Sequence, residues 1–198
     1  MGDTPPTLSG FHILTMTYNP ARHHRRSIRL RGYDYTRPGA YFVTLCVQHR
    51  DHLFGEVVNG KMRLNESGRI AAECWEWLGT QYPYVELDEW VVMPNHLHGI
   101  IVVHADNHVP CRDASRRVPT DGTTGPRTTP VKIKPLGQLI GVFKTISTPR
   151  INELRDMPGI SVWQHNYHEH IIRNAMDLNR IREYILNNPR KWDLDREN

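Results

Sequence analysis

The sequence predicts a single α+β domain in which helices lie on one face of an antiparallel sheet. Three observations carry that expectation. Short runs rich in β-branched and aromatic residues recur between turn signals. Other stretches repeat apolar residues at helical spacing. A chain of 198 residues, 38% hydrophobic and 23% charged, suffices for one good core and has the composition of an ordinary globular protein.

Residues 1–21 read as a disordered leader with little periodicity, and residues 22–198 as the domain. From Pro20 to Tyr33 the chain runs PARHHRRSIRLRGY, with five arginines, two histidines and no acid. Such a run is either a footprint for a polyanion, with Tyr33 and Tyr35 close by as stacking groups, or a solvated basic tail. AYFVTLCVQ (40–48), bounded by Pro38-Gly39, predicts a strand. In FGEVVNGKMRLN the Asn59-Gly60 pair predicts a hairpin with a type I′ turn.

Asn65 is placed to cap a helix through IAAECWEWLG, with Ile70, Trp77 and Leu78 as its apolar face. VELDEWVVM and HLHGIIVV predict two more strands joined tightly at Pro94-Asn95. Residues 105–130 shift to Pro, Thr, Gly, Asp and Arg and read as a long loop or insertion. A helix resumes near Pro135, with Leu136, Leu139, Ile140 and Phe143 at helical spacing. Val162 to Ile172 carries a short strand, and Asp177 to Asn187 closes the fold as a helix on Leu178, Ile181 and Ile185, stopped by Pro189.

The three cysteines, Cys46, Cys74 and Cys111, are far apart and form no CxxC pair, so neither a zinc knuckle nor a disulfide framework is indicated. Cys46 and Cys74 are expected to pack as small apolar residues. No segment has the length of a membrane span or the pattern of a secretory signal, so a cytoplasmic protein without membrane partners is expected.

The stretch MPNHLHGII carries the chemistry. Side chains at i and i+2 of a strand share a face, so His96 and His98 stand side by side while Leu97 turns the other way, into the core. Two adjacent imidazoles are able to ligate a divalent cation, although an isolated HxH is also found as two plain surface histidines. In REYILNNP, Tyr184 and Asn188 lie four residues apart on one helical face. Asn188 is suited to complete a metal shell through its amide oxygen; its plainer role is to end the helix before Pro189 while Tyr184 packs.

Taken together, RRSIRLRGYDYTRPGAYFVTL, LFGEVVNGKMRLNESG, VELDEWVVMPNHLHGIIVV, LGQLIGVFKT, and VWQHNYHEHIIRN through REYILNNP resemble the Y1 (single tyrosine) HUH transposases of the IS200/IS605 type. Within that family the nearest likeness is to the REP-associated tyrosine transposases. The resemblance covers most of positions 22–191. It implies a ferredoxin-like (RRM-like) fold with a C-terminal catalytic helix, and metal-dependent cleavage of single-stranded or hairpin DNA, with genomic palindromic repeats as candidate substrates. Carried over residue by residue, it makes His96 and His98 the metal ligands, Tyr184 the nucleophile and Asn188 the residue completing the shell, with Mg2+ or Mn2+ as the ion. Related enzymes occur as monomers and as homodimers. The segment 105–130 and the residues before Met16 match nothing in the family, and Met16 is a candidate natural start.

On this reading Tyr184 attacks phosphorus in line, forming a covalent 5′-phosphotyrosine and a free 3′-hydroxyl. Arg22, Arg25, Arg26, Arg29 and Arg31, with Arg190 and Lys191, are expected to contact phosphates, and His170 and Arg173 are further candidates to line the pocket. Two rivals remain at this point. A non-catalytic single-stranded nucleic-acid-binding module with an RRM-like fold explains the sheet, the basic arm and the aromatics, but not the His96, His98, Tyr184 and Asn188 set. A metal-dependent hydrolase needs a carboxylate near the metal, for which Glu169 is the one suggestive acid.

Truncation to Met16 should change neither stability nor cleavage. A cut extended past Arg31 removes five arginines. DNA affinity should then drop, and the log–log salt dependence of binding should flatten by roughly one unit per lost phosphate contact. Binding titrations at several salt concentrations check this, and an unchanged slope reduces the arm to a solvated tail.

Overall fold

The computed structural model describes residues 30, 32–105 and 132–194. The expected leader, Arg22, Arg25, Arg26, Arg29, Arg31, Cys111 and all but the first residue of the 105–130 segment lie outside the described residues. The first strand, β1 (Gly39–Cys46), pairs antiparallel with two others, β5 (His96–Val103) and β6 (His168–Ile172). A fourth strand, β4 (Val85–Val92), pairs antiparallel with β5, giving a sheet of order β4-β5-β1-β6. The hairpin strands β2 (Gly55–Val58) and β3 (Lys61–Leu64) form a separate two-stranded sheet. Asn59 and Gly60 at its turn both have positive φ, 54° and 68°, as the Asn-Gly pair predicts for a type I′ turn.

Two helices cover one face of the main sheet. Helix α1 spans Glu66–Gln81, and the Asn65 side chain caps it by accepting from the Gly68 amide at 3.0 Å. Its buried stripe is Ala71, Cys74, Trp75 and Leu78, the i, i+3, i+4, i+7 rows of one face. Here the sequence expectation needs correcting. Trp77 is 38% exposed, because it lies two residues, or about 200°, around the helix from Trp75, which is the tryptophan in the core. Helix α2 (Leu136–Leu154) buries Leu136, Leu139, Ile140 and Phe143, the residues its spacing singled out.

The third helix, α3 (Ala175–Asn187), lies on the other face, capped by the Asn174 side chain on the Asp177 amide. There Ile181 and Ile185 pack with Phe42, Ile100 and Ile172 in a small second core. The chain continues past Pro189 as a 3₁₀ segment, Pro189–Leu194. No described helix is long and apolar enough to cross a membrane.

Both faces of β5 are therefore covered, and its alternation decides which side chain goes where. Leu97, Ile101 and Val103 enter the large core against α1 and α2. His96, His98 and Ile100 face α3. Gly99 points to the large core, where a Cβ would come within 2.5 Å of the Trp75 ring (Cζ2). The strand can accept the indole at van der Waals distance only because residue 99 has no side chain. Replacing Gly99 by Ala should cost about 1–3 kcal/mol through overpacking. A denaturant midpoint unchanged from wild type would show that the indole has room to move aside.

Candidate active site

The site lies between the start of β5 and the end of β1 on one side and the end of α3 on the other. The antiparallel register sets Thr44 of β1 opposite His98 and Cys46 opposite His96, all on the α3 face. His96 is fully buried and His98 is 2% exposed, with ring centroids 4.4 Å apart. Two imidazoles so close and so buried are not the plain surface pair that an HxH can be.

Each ring is held at Nδ1. The Asn95 Oδ1 lies 2.8 Å from His96 Nδ1, and the Thr44 hydroxyl lies 2.9 Å from His98 Nδ1. An amide oxygen only accepts, so His96 carries its proton on Nδ1 and keeps Nε2 as a lone pair. The Thr44 hydroxyl is able to accept from an Nδ1–H of His98 or to donate to its Nδ1, and holds the ring in either tautomer. A ring anchored at one nitrogen by a neutral acceptor is oriented as a ligand through the other.

Tyr184 reaches into this arrangement from α3. Its hydroxyl lies 3.2 Å from His98 Nε2, its ring packs edge-on against Phe42, and the residue is 43% exposed. The hydroxyl is thus at the histidine pair and still open to a large substrate. One turn on, Asn188 is buried at the C-cap of α3. In the 3₁₀ segment beyond the helix, Trp192 stacks on His96 with ring centroids 5.9 Å apart and planes 28° apart. Tyr184 from α3 and Trp192 from the 3₁₀ segment beyond it therefore meet His98 and His96 respectively, with Asn188 between them in sequence.

The donor set fits a divalent cation. Two neutral imidazoles and an amide oxygen leave room for water or phosphate oxygens, which magnesium and manganese prefer. Among the described residues no group of three or more His, Cys, Asp or Glu could hold a metal ion, and the candidate third ligand there is the Asn188 amide oxygen. Glu169 pairs with Val43, a residue of the large core, and so turns to the opposite face from His96 and His98. That removes the carboxylate a small-substrate hydrolase would need.

Ion pairs position α3 from two sides. Arg182 donates from Nε to both oxygens of Asp88, at 2.9 and 3.1 Å. Asp88 lies at the irregularity in β4 between Leu87 and Trp90, which turns it toward the helix. Hydrogen bonding to Asp88 raises the Arg182 guanidinium above its ordinary pKa. At the other end His170 Nε2 lies 2.8 Å from Asp177 Oδ2, with Arg180 on the second oxygen. His170 is thus tied to the start of α3, while Arg173, Arg190 and Lys191 are exposed.

The sequence reading missed Thr44, Asn95, Phe42 and Trp192. For Asn95 a signal existed, since it directly precedes the histidine pair, but its place in a Pro-Asn turn accounted for it. Thr44 and Phe42 become visible only once β1 is registered against β5. Cys46 likewise departs from expectation. It is partly exposed on the His96 side of the sheet, whereas Cys74 packs in the core.

No family model matches the chain. An uncharacterized protein of Haemophilus influenzae is 38% identical over 186 residues, which cover 92% of this chain and 97% of that protein. A REP-associated tyrosine transposase, solved bound to a REP hairpin, is similar in structure with a TM-score of 0.50 and 20% identity, covering 83% of this chain and 73% of that one. At that identity the likeness establishes the shared α+β fold.

The carboxyl of Asp177 is held below its ordinary pKa by its hydrogen bond to His170 and then by Arg180. A depressed carboxylate contributes stability that is complete above the unfolded value of about 3.9 and is lost as pH falls through the folded value. Asp177→Asn should therefore flatten the acid limb of the stability–pH curve. Acid unfolding followed by circular dichroism tests this, and identical acid limbs would remove Asp177 from the clamp.

Proposed function

We propose that this chain, which belongs to the same family as the Haemophilus influenzae protein, is a metal-dependent endonuclease and strand transferase acting on single-stranded or hairpin DNA. One observation carries the reading. A partly exposed tyrosine hydroxyl sits at hydrogen-bond distance from one of two oriented, buried histidines, with Asn188 one turn away on the same helix. The fold shared with a transposase solved on a REP hairpin supports hairpin DNA, including palindromic repeats, as the substrate class, and a cytoplasmic location follows from that substrate.

His96, His98 and Asn188 would hold Mg2+ or Mn2+. When bound, such an ion supplies positive charge to a non-bridging phosphate oxygen of the scissile bond. The other work falls to the chain's own groups. A tyrosine hydroxyl has a pKa of ~10, so positioning counts for more than basicity, and the contacts to His98 and Phe42 fix the direction of the phenol. The Tyr184 oxygen forms a bond to phosphorus and releases its proton. The P–O3′ bond breaks, and its electron pair leaves on the 3′-oxygen, which takes up a proton to become a hydroxyl. The phosphodiester energy is retained in the phosphotyrosine, so a second 3′-hydroxyl can reverse the step without ATP.

The arginines at 22, 25, 26, 29 and 31, together with Arg190 and Lys191, supply charge for the DNA backbone in this reading. A non-catalytic RRM-like binding module gives no purpose to the Tyr184–His98 contact or to the paired Nδ1 anchors.

Tyr184→Phe should abolish a covalent protein–DNA adduct on hairpin oligonucleotides with manganese present, yet leave DNA binding nearly intact. His96→Ala and His98→Ala should abolish cleavage as well. Thr44→Val, which removes only the Nδ1 partner of His98, should weaken manganese binding by about 10–100-fold in a calorimetric titration. An adduct that survives the Tyr184 change on a denaturing gel would move the nucleophile elsewhere.

A further inference from the structure

The β2–β3 hairpin has no part in the chemistry above, yet it abuts the segment that leaves the catalytic helix. Its strands alternate, so Met62 and Leu64 turn toward the large core while Lys61 and Arg63 are exposed. Its turn meets the 3₁₀ segment, where a Cβ on Gly60 would lie 3.3 Å from Arg190 Cγ and 3.5 Å from its Cα. The contact brings Lys61 and Arg63 onto one surface with Arg190 and Lys191. Among the described residues none of these four cations is held in an ion pair. The one nearby counter-charge fixed by the pairing is Glu56, opposite Arg63.

That surface is continuous with the site. Trp192 follows Lys191, stacks on His96 and meets the exposed His52 edge-on, with ring centroids 5.5 Å apart. Cations beside a half-exposed indole and an exposed imidazole suit a ligand carrying both phosphates and aromatic faces. A duplex hides its base faces, whereas a single strand offers them. Alternate residues of an antiparallel strand stand about 6.8 Å apart, on the scale of successive phosphates in an extended strand.

We propose that the β2–β3 hairpin and the Pro189–Leu194 segment form a track for the single-stranded DNA flanking the scissile phosphate. Lys61, Arg63, Arg190 and Lys191 take phosphates, and Trp192 with His52 stacks a base. This rests on the DNA-processing reading and extends it to a surface that the histidine–tyrosine site does not contain.

The test measures binding of a fluorescent single-stranded oligonucleotide at several salt concentrations to wild type and to Lys61→Ala/Arg63→Ala. Covalent adduct formation by the wild-type protein is followed in parallel. Each lost single-strand phosphate contact lowers the log–log slope by about 0.7, so the double variant should be shallower by about 1.4. At fixed salt Trp192→Ala should bind about tenfold more weakly, and Trp192→Phe should recover most of that loss. A double variant that melts like wild type and keeps the wild-type slope overturns the track, and equal binding by the Trp192 variants removes its stacking floor. Should wild type give no adduct while the slope still falls, the track stands as a binding surface and the strand-transfer reading fails.

Discussion

Everything functional in this molecule depends on one strand being covered on both faces with strict alternation. β5 sends Leu97, Ile101 and Val103 into the large core and His96 and His98 toward α3. A register slip of one residue would exchange the two sets, placing imidazoles among Trp75, Leu78 and Phe143 and exposing leucine at the site. Burying unpaired polar rings there would cost several kcal/mol, so the packing of the core and the placement of the histidine pair are enforced by the same constraint. Gly99 tightens it, because the Trp75 indole fits over the strand at that position alone. The histidines are precise because the leucine and the tryptophan beneath them are.

The central position of β5 adds a second level of order. Its neighbour β1 supplies Thr44 to His98, while the tight turn before β5 supplies Asn95 to His96. One partner is therefore long-range and the other local. Both partners are neutral, so neither brings a charge that burial would penalise. A carboxylate in either place would hold the ring as firmly but would bring a desolvated negative charge into the buried site.

These two levels explain what the sequence could and could not reveal. Period-two and helical patterns were legible because they record burial, as with Leu136, Leu139, Ile140 and Phe143 in α2 and the Asn59-Gly60 turn. The histidine pair and the Tyr184–Asn188 spacing were legible because each lies within one element. Pattern failed where two readings differ only in phase, as with Trp75 and Trp77 along one helix. It failed again where the partner arrives from another strand, as with Thr44, Phe42 and Cys46. Glu169 shows the converse: near the right residues in sequence, it faces the wrong side once β6 is registered on β1.

The helix carrying Tyr184 is held differently from the rest of the fold. α1 and α2 are anchored by long apolar stripes, whereas α3 has only Ile181 and Ile185 buried, each worth about 1.5–3 kcal/mol. Arg182–Asp88 and His170–Asp177 supplement that small core from opposite edges of the sheet. Partly exposed ion pairs add little free energy, on the order of 1 kcal/mol or less, but they restrict direction. Two such ties on opposite sides restrict the rotation of the helix about its own axis, beside the contact made by Ile181, Ile185 and the partly buried Leu178. That rotation sets whether the Tyr184 hydroxyl meets His98 Nε2 or turns out to solvent. Tyr184 is thus carried on the least deeply packed of the three helices and aimed by polar contacts, an arrangement that holds the phenol against His98 while leaving it partly exposed.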